Sequence, residues 1–290
     1  MATLRDIKSR IKGVKSTQQI TKAMKMVAAA KLRRAQENVV NARPYANKIW
    51  HMLSDLATEN DLLTNPFFVS REPKNIALVI VTADRGLCGA FNSNIIKEAV
   101  RYINEDLNSA GNVQLFCIGK KGYDFFSKRH YNVYEKNLGL FSALKYSDSV
   151  DISSKLISAY LDGTFDKVVI IYNEFKSIIQ QRIVTEQFLP IKLAAGKTDK
   201  KNQPDYIYEM DQKSIFDYLL PKHLKAQTWR ILLESNASEL GARMTAMDNA
   251  STNAKELIRT LQLKYNKERQ AAITKELLEI IAGANALKAS

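Results

Sequence analysis

The stretch Thr82-Ala-Asp-Arg-Gly-Leu-Cys-Gly-Ala-Phe-Asn92 is the part of this chain best placed to do chemistry. Glycines that follow a strand-like run and precede a helix can turn backbone amides toward a phosphate. The spacing Gly86-x-x-Gly89 is neither the dinucleotide fingerprint nor the phosphate-loop pattern, and no Lys-Ser or Lys-Thr pair follows it. A tight turn that lets a helix pack on a sheet is therefore the preferred reading over an enzyme that binds nucleotide there. Cys88 and Cys117 lack the spacing of a redox or zinc motif, so buried, reduced thiols are expected. His51, His130 and His223 are scattered, with neither ligand nor triad spacing. No catalytic residue, metal or cofactor is predicted.

The turn must be carried by a sheet. Residues 76–82, 113–118 and 167–172 are short apolar runs of strand length, separated by helical patterns at 93–108 and 150–161. That alternation argues for parallel strands joined by crossover helices. Residues 180–188 alternate more and read as an antiparallel edge. Pro66, Pro73 and the polar residues between them mark a linker before the first strand, and the polar stretch 197–205 marks one after the last.

The two ends of the chain are of another kind. Residues 221–290 have no internal proline after Pro221 and read as one helix; at 1.5 Å per residue it would span on the order of 100 Å. Leu240, Met244, Met247, Ser251, Ala254, Ile258, Leu261 and Tyr265 step by four and three, the seam of a left-handed coiled coil. The next apolar series, Ile273, Leu277, Ile280, Ala284 and Leu287, implies a phase slip. Gly241 and Gly283 are expected to be tolerated inside the helix, each costing only about 1 kcal/mol against Ala. At the other end, Thr3 and Asp6 form a cap signal, and Leu4, Ile7, Ile11 and Val14 begin a matching seam. That seam runs through polar Gln18 and Thr21 before apolar character returns at Met24, Val27 and Ala28, and Pro44 is expected to kink the helix. The fold class is thus α/β: a long antiparallel coiled coil of N- and C-terminal helices with an inserted Rossmann-like domain. The expected boundaries are 1–60 for the first helix, 74–196 for the α/β domain and 206–290 for the last helix.

Charge is uneven. Residues 1–50 hold 12 Lys or Arg against 2 Asp or Glu, net +10, and residues 222–290 hold 11 against 7, net +4. The excess sits on the helix pair, where it suits nucleic acid, anionic lipid or an acidic protein surface, with a solvated face as the default. A basic coiled-coil nucleic-acid binder stays open as the alternative, although no aromatic residue interleaves the basic stretch before Tyr45. Nothing longer than a strand is continuously apolar, and the N-terminus reads as capped helix rather than signal or transit peptide, so an intracellular soluble chain is expected.

Four stretches carry a resemblance that composition does not. IKGVKSTQQITKAMKMVAAAKLR from Ile11, DRGLCGAFN from Asp84, ARMTAMDN from Ala242 and YNKERQAAIT from Tyr265 resemble the gamma subunit of F-type ATP synthase, in order and from end to end. The resemblance implies a rotor shaft standing inside a sleeve of three alpha and three beta subunits, with catalysis on beta. The foot of the shaft would meet the c-ring beside the epsilon subunit, peripheral to the cytoplasmic face of a bacterial inner membrane, without contacting nucleic acid. It assigns Met24 and Lys25 to the acidic lever loop of beta, and Arg243, Arg269, Gln270, Thr274 and Glu276 to the sleeve, Arg269 and Gln270 reaching the catch loop. Tyr206 and Glu209 match the foot that touches the c-ring. Residues 273–287 match the tip that turns in the upper bearing. The extra loop with a cysteine pair found in the chloroplast branch is missing, so thiol switching is not implied.

Overall fold

The computed structural model describes residues 3–57, 63–107, 111–178, 180–192 and 211–289. The elements run α1 Leu4–Leu56, β1 Asn75–Val81, α2 Phe91–Arg101, β2 Asn112–Ile118, α3 Lys120–Ser127, β3 Val133–Asn137, α4 Tyr146–Leu161, β4 Lys167–Phe175, β5 Gln181–Leu189 and α5 Gln212–Ala289. They fall into two compact units: Met1–Val27 with Met244–Ser290, and Ala28–Arg243. The division lies within both long helices rather than at their ends.

The larger unit holds a five-stranded sheet in the order β3-β2-β1-β4-β5. β1 pairs in parallel with β2 and β4, β2 with β3, and β5 closes the edge antiparallel to β4. Alternate residues of the central strands point to opposite faces, and both faces are covered. Ala77, Val79, Val81, Phe116, Ile118, Val168 and Ile170 share one core with Ile49 and Leu53 of α1, Leu156 of α4 and Leu220, Leu224 and Ile231 of α5. Leu78, Ile80, Leu115, Cys117, Val169 and Ile171 form the other with Phe91, Ile95 and Ala99 of α2 and Phe126 of α3. Each such fully buried aliphatic or aromatic side chain stabilises the fold by roughly 1.5–3 kcal/mol. The long helices are thus part of the sheet's core in this unit. They run antiparallel here, because Arg43 meets Glu234 while Trp50, further along α1, meets His223, further back on α5.

The smaller unit is the helix pair alone. Leu4, Ile7, Ile11, Val14, Gln18, Thr21 and Met24 are buried or half-buried on α1, as is the adjacent Lys25; this is the spacing read from the sequence, but Val27 lies 57% exposed. Lys25 Nζ meets Asp248 Oδ1 at 2.6 Å. On α5 the series continues in phase through Tyr265 to Glu268 and Ala272, so the expected slip to Ile273, Leu277 and Ile280 does not occur. Those three are 49%, 54% and 67% exposed. The register explains why. Counting 21 residues back from Lys25 reaches Leu4, the start of α1, and 21 forward from Asp248 reaches Arg269, so α1 offers no residue opposite the last turns. Beyond Ala272 every residue through Gly283 is exposed.

Other expectations are corrected by local chemistry. α5 begins at Gln212, between the starts at 206 and 221 read from the sequence, with Pro221 inside it; Asp211 is the cap, its carboxylate accepting from the Ser214 amide at 3.0 Å and the Ser214 hydroxyl at 2.7 Å. α1 is one continuous helix with Pro44, the residue expected to kink it, inside. The Thr3–Asp6 cap is formed in both directions, Thr3 N donating to Asp6 Oδ2 at 2.9 Å and Asp6 N to Thr3 Oγ1 at 3.2 Å. α3 and β3 were not anticipated, and the helix read over 93–108 is α2 followed by a π-helical turn, Tyr102–Asp106. The linker read at 197–205 lies outside the described residues.

His223 is 6% exposed, lies against Trp50 in a tilted ring contact at 5.1 Å between centroids, and its Nδ1 finds no partner among the described residues. Burial, with Arg230 adding to it, holds its pKa down to about 4 from 6.5. The unfolded chain therefore binds a proton more readily, and stability present above pH 6.5 is lost as pH falls toward 4, about 3 kcal/mol in all. Denaturant titrations of His223→Phe should show a shallower loss of stability over that window than the parent chain; equal slopes would contradict the assignment.

Candidate functional site

The glycine turn is built by side chains that close it off. Asn92, in the first turn of α2, accepts from Ala83 N at 2.8 Å through Oδ1, and its Nδ2 donates to Arg85 O at 3.4 Å and to Cys88 Sγ at 3.2 Å. Asp84 Oδ1 accepts from Lys120 N at 3.1 Å and Gly139 N at 2.8 Å, tying the end of β1 to the starts of α3 and of the loop after β3. Leu87 and Gly89 take positive φ, 65° and 58°. Burial first, then Glu239, pushes the Cys88 thiol above its ordinary pKa, and burial alone pushes Cys117 up to about 12. Both are free and buried, as expected, and neither carries the thiolate character that nucleophilic chemistry needs.

In open α/β sheets ligands bind beyond the carboxyl ends of the strands, where the strand order reverses. In this sheet that place lies between β1 and β4, and the chain's own last helix fills it. A Cβ at Gly241 of α5 would meet Ile178 O at 3.3 Å and the Phe175 ring at 3.7 Å. Two residues further along α5, Arg243 Nη1 donates to Gly86 O at 2.7 Å. Its Nε donates to Glu239 Oε1 at 2.8 Å, and Nη2 reaches the same oxygen. Burial raises the Glu239 pKa, with Arg243 opposing the shift. The crevice a nucleotide would need is occupied by helix, which favours the structural reading of the turn.

The residues singled out on the helices are spread along them. Met24 and Lys25 are half-buried on the helix pair, Lys25 held by Asp248. Arg243 is turned inward as described. Arg269, Gln270, Thr274 and Glu276 are exposed, and Thr274 Oγ1 donates to Gln270 O at 3.0 Å within the helix. Tyr206 and Glu209 lie outside the described residues. Around them Arg5, Lys8, Arg10, Lys12, Lys15 and Lys22 are exposed, a basic strip on the smaller unit. Sequence reasoning missed the pairing of Arg243 with Glu239, although their spacing of four on one helix is the signal that marks it. Because the Lys25 and Asp248 side chains are 39% and 53% exposed, Lys25→Ala should lower stability by less than about 1 kcal/mol in a denaturant titration. A larger loss would mean the pair is structural rather than available to a partner. No helix among the described residues is long and apolar enough to cross a membrane, and none of those residues form a metal-binding cluster of His, Cys, Asp or Glu.

Fold and site together define a helix-pair protein that carries a doubly wound α/β domain and presents basic and apolar helix faces. The family model described as ATP synthase matches residues 3–287. The ATP synthase gamma chain of Chlorobaculum parvum is 53% identical over 292 aligned residues, covering 99% of this chain and all of that one. That of Prosthecochloris aestuarii is 54% identical, covering 99% of both chains. Among solved structures, the central stalk and c-ring of the Tetrahymena thermophila mitochondrial ATP synthase contains a chain 27% identical to this one, with a TM-score of 0.63 over 80% of this chain and 99% of that one. A chain of the Euglena gracilis mitochondrial enzyme, in rotational state 3, shares the fold at 22% identity and a TM-score of 0.68, over 99% of this chain and 95% of that one. This chain belongs to the ATP synthase gamma-chain family.

Proposed function

We propose that this chain is the central-stalk rotor of an F-type ATP synthase, itself non-catalytic, coupling ion-driven rotation of a c-ring to ATP synthesis or hydrolysis on beta subunits. Its partners are three alpha and three beta subunits, an epsilon subunit and the c-ring, at the cytoplasmic face of a bacterial membrane. The observation that carries the reading is full-length identity above half to gamma chains, together with a helix pair whose C-terminal member outlasts its partner. A shaft that meets three equivalent sites with different surfaces gives each a different conformational free energy, and turning it permutes those energies.

Within that role, Met24 and Lys25 face an acidic loop of beta, and Arg269, Gln270, Thr274 and Glu276 contact the sleeve. Tyr206 and Glu209 belong to the foot. The exposed apolar residues Ile273, Leu277, Leu278, Ile280 and Ile281 turn inside the upper bearing. The basic strip along α1 supplies long-range attraction to acidic loops. A nucleic-acid role finds no support in the family relationship. The test is recovery of the tagged chain from its native cell. Alpha, beta and this chain in a three, three, one ratio is the expected result, and recovery without them would overturn the reading.

A further inference from the structure

The rotor reading leaves the turn between Asp84 and Asn92 without a task, yet the turn is held in a costly shape. Leu87 sits at φ 65°, a left-handed conformation that a side chain with a Cβ resists, and its side chain is 65% exposed, so burial of the leucine does not hold it there. The ties come from elsewhere. Asn92 grips Arg85 O and Ala83 N from within the segment. From α5, Arg243 donates to the Gly86 carbonyl, the group immediately before Leu87.

The guanidinium is committed to that work. Its side chain is 14% exposed and that of Glu239, which it grips through two nitrogens, 11%. A fork with three donors spent inside the chain and its counter-charge beside it has little left to offer a neighbouring subunit. We propose that Arg243 is a positioning residue: it acts within the chain by fixing the Gly86 carbonyl, and so presents the exposed Leu87 in its left-handed state, rather than touching the sleeve with its own side chain. Glu239 orients the guanidinium and keeps it charged and buried. The proposal rests on the rotor reading for its activity measurement.

The experiment is a double-mutant cycle in the assembled complex with alpha and beta, followed by steady-state ATP turnover. Asparagine and glycine accept a left-handed φ, so Leu87→Asn and Leu87→Gly each relieve the need for an outside tie. Arg243→Gln should lower kcat several-fold with little change in KM, and Arg243→Lys should recover part of the loss. In the Leu87→Asn or Leu87→Gly background the same Arg243→Gln change should cost much less, a strong positive coupling. Thermal midpoints of the complexes fix a temperature at which every variant is folded, which removes a general loss of stability from the comparison.

A second measurement does not depend on turnover. Arg243→Gln should speed amide hydrogen exchange at residues 86–89 and leave the β2 amides unchanged. Additive losses in both backgrounds, unchanged exchange at 86–89, or wild-type turnover in Arg243→Gln would each overturn the positioning role. Failure of the unaltered chain to assemble with alpha and beta strikes the functional reading instead, so the two failures are distinguishable.

Discussion

Replacing Gly119 by alanine should cost about 3–5 kcal/mol and lower the thermal midpoint by roughly 10 °C, a large share of what holds a domain of this size together. Gly119 joins β2 to α3 at φ 91° and ψ 143°, a region closed to side chains. A Cβ there would stand 2.0 Å from Thr82 O, and the obstacle is backbone, which has no rotamer to move. The carbonyl cannot withdraw, because Thr82 is fully buried and fastened on every side. Thr82 N donates to Ile118 O at 2.8 Å, Thr82 Oγ1 donates to Ile118 O at 3.2 Å, and the same hydroxyl accepts from Gly122 N at 2.8 Å. Gly139 supplies the control. Its φ is 80°, but a Cβ there meets nothing within 4 Å, so Gly139→Ala should carry only the conformational cost, about 1 kcal/mol. Denaturant titration of the two variants separates clash from strain. If Gly119→Ala lost no more than Gly139→Ala, the packing of α3 on Thr82 would be wrong.

How much of this was legible beforehand follows from which signals are periodic. The coil seams were readable because each buried position is fixed by the one three or four residues before it, and Leu240 through Tyr265 obey that rule without exception. The central strands were readable because both faces are buried and their sequences are continuously apolar. β3 was missed for the opposite reason. Val133-Tyr-Glu-Lys-Asn137 is an edge strand of five residues with no fully buried position, so the hydrophobic effect leaves almost no mark on it. α3 is two turns long, and its start is set by Gly119 and the Thr82 hydroxyl rather than by a cap in its own sequence. A phase slip after Tyr265 was read because apolar residues continue beyond it in another register, whereas the pair stays in phase to Ala272; the tip read from Ile273 is exposed as far as Gly283. Nothing in one helix records where its partner stops. The turn at Gly86 was read as a tight helix-packing turn, but what occupies the crevice beside it comes from Gly241 and Arg243, more than 150 residues away, and no local pattern encodes that approach.

Removing the carboxylate of Glu234 should be the other severe change, at about 3–5 kcal/mol for Glu234→Ala. Its side chain is 2% exposed and lies between two arginines, Arg43 Nε of α1 at 3.3 Å and Arg230 Nη1 of its own helix at 3.6 Å. Arg230 also meets Glu186 Oε2 of β5 at 3.3 Å, and Glu186 accepts from Tyr172 OH at 3.0 Å and Gln227 Nε2 at 2.7 Å. Arg43 Nη2 goes on to Phe175 O at 3.1 Å. Two positive and two negative groups thus bind α1, α5, β4 and β5 into one network. Burial works against the charge on Arg230, and Tyr172, Glu186 and Glu234 together more than offset it, so its pKa stands above the usual arginine value. Alanine at 234 takes away the carboxylate that Arg43 and Arg230 share and leaves Arg230 with Glu186 alone, and an uncompensated buried charge is what makes such a loss expensive. Two further variants decide the cause. Glu234→Gln keeps shape and part of the hydrogen bonding, so it should fall between parent and alanine. Glu234→Ala combined with Arg230→Met removes one charge of each sign, so the pair should cost well below the sum of the single changes. Additivity in chemical denaturation would show that Glu234 contributes packing alone. It would also remove the argument that this network, more than apolar contact, sets the register of the two long helices on the sheet.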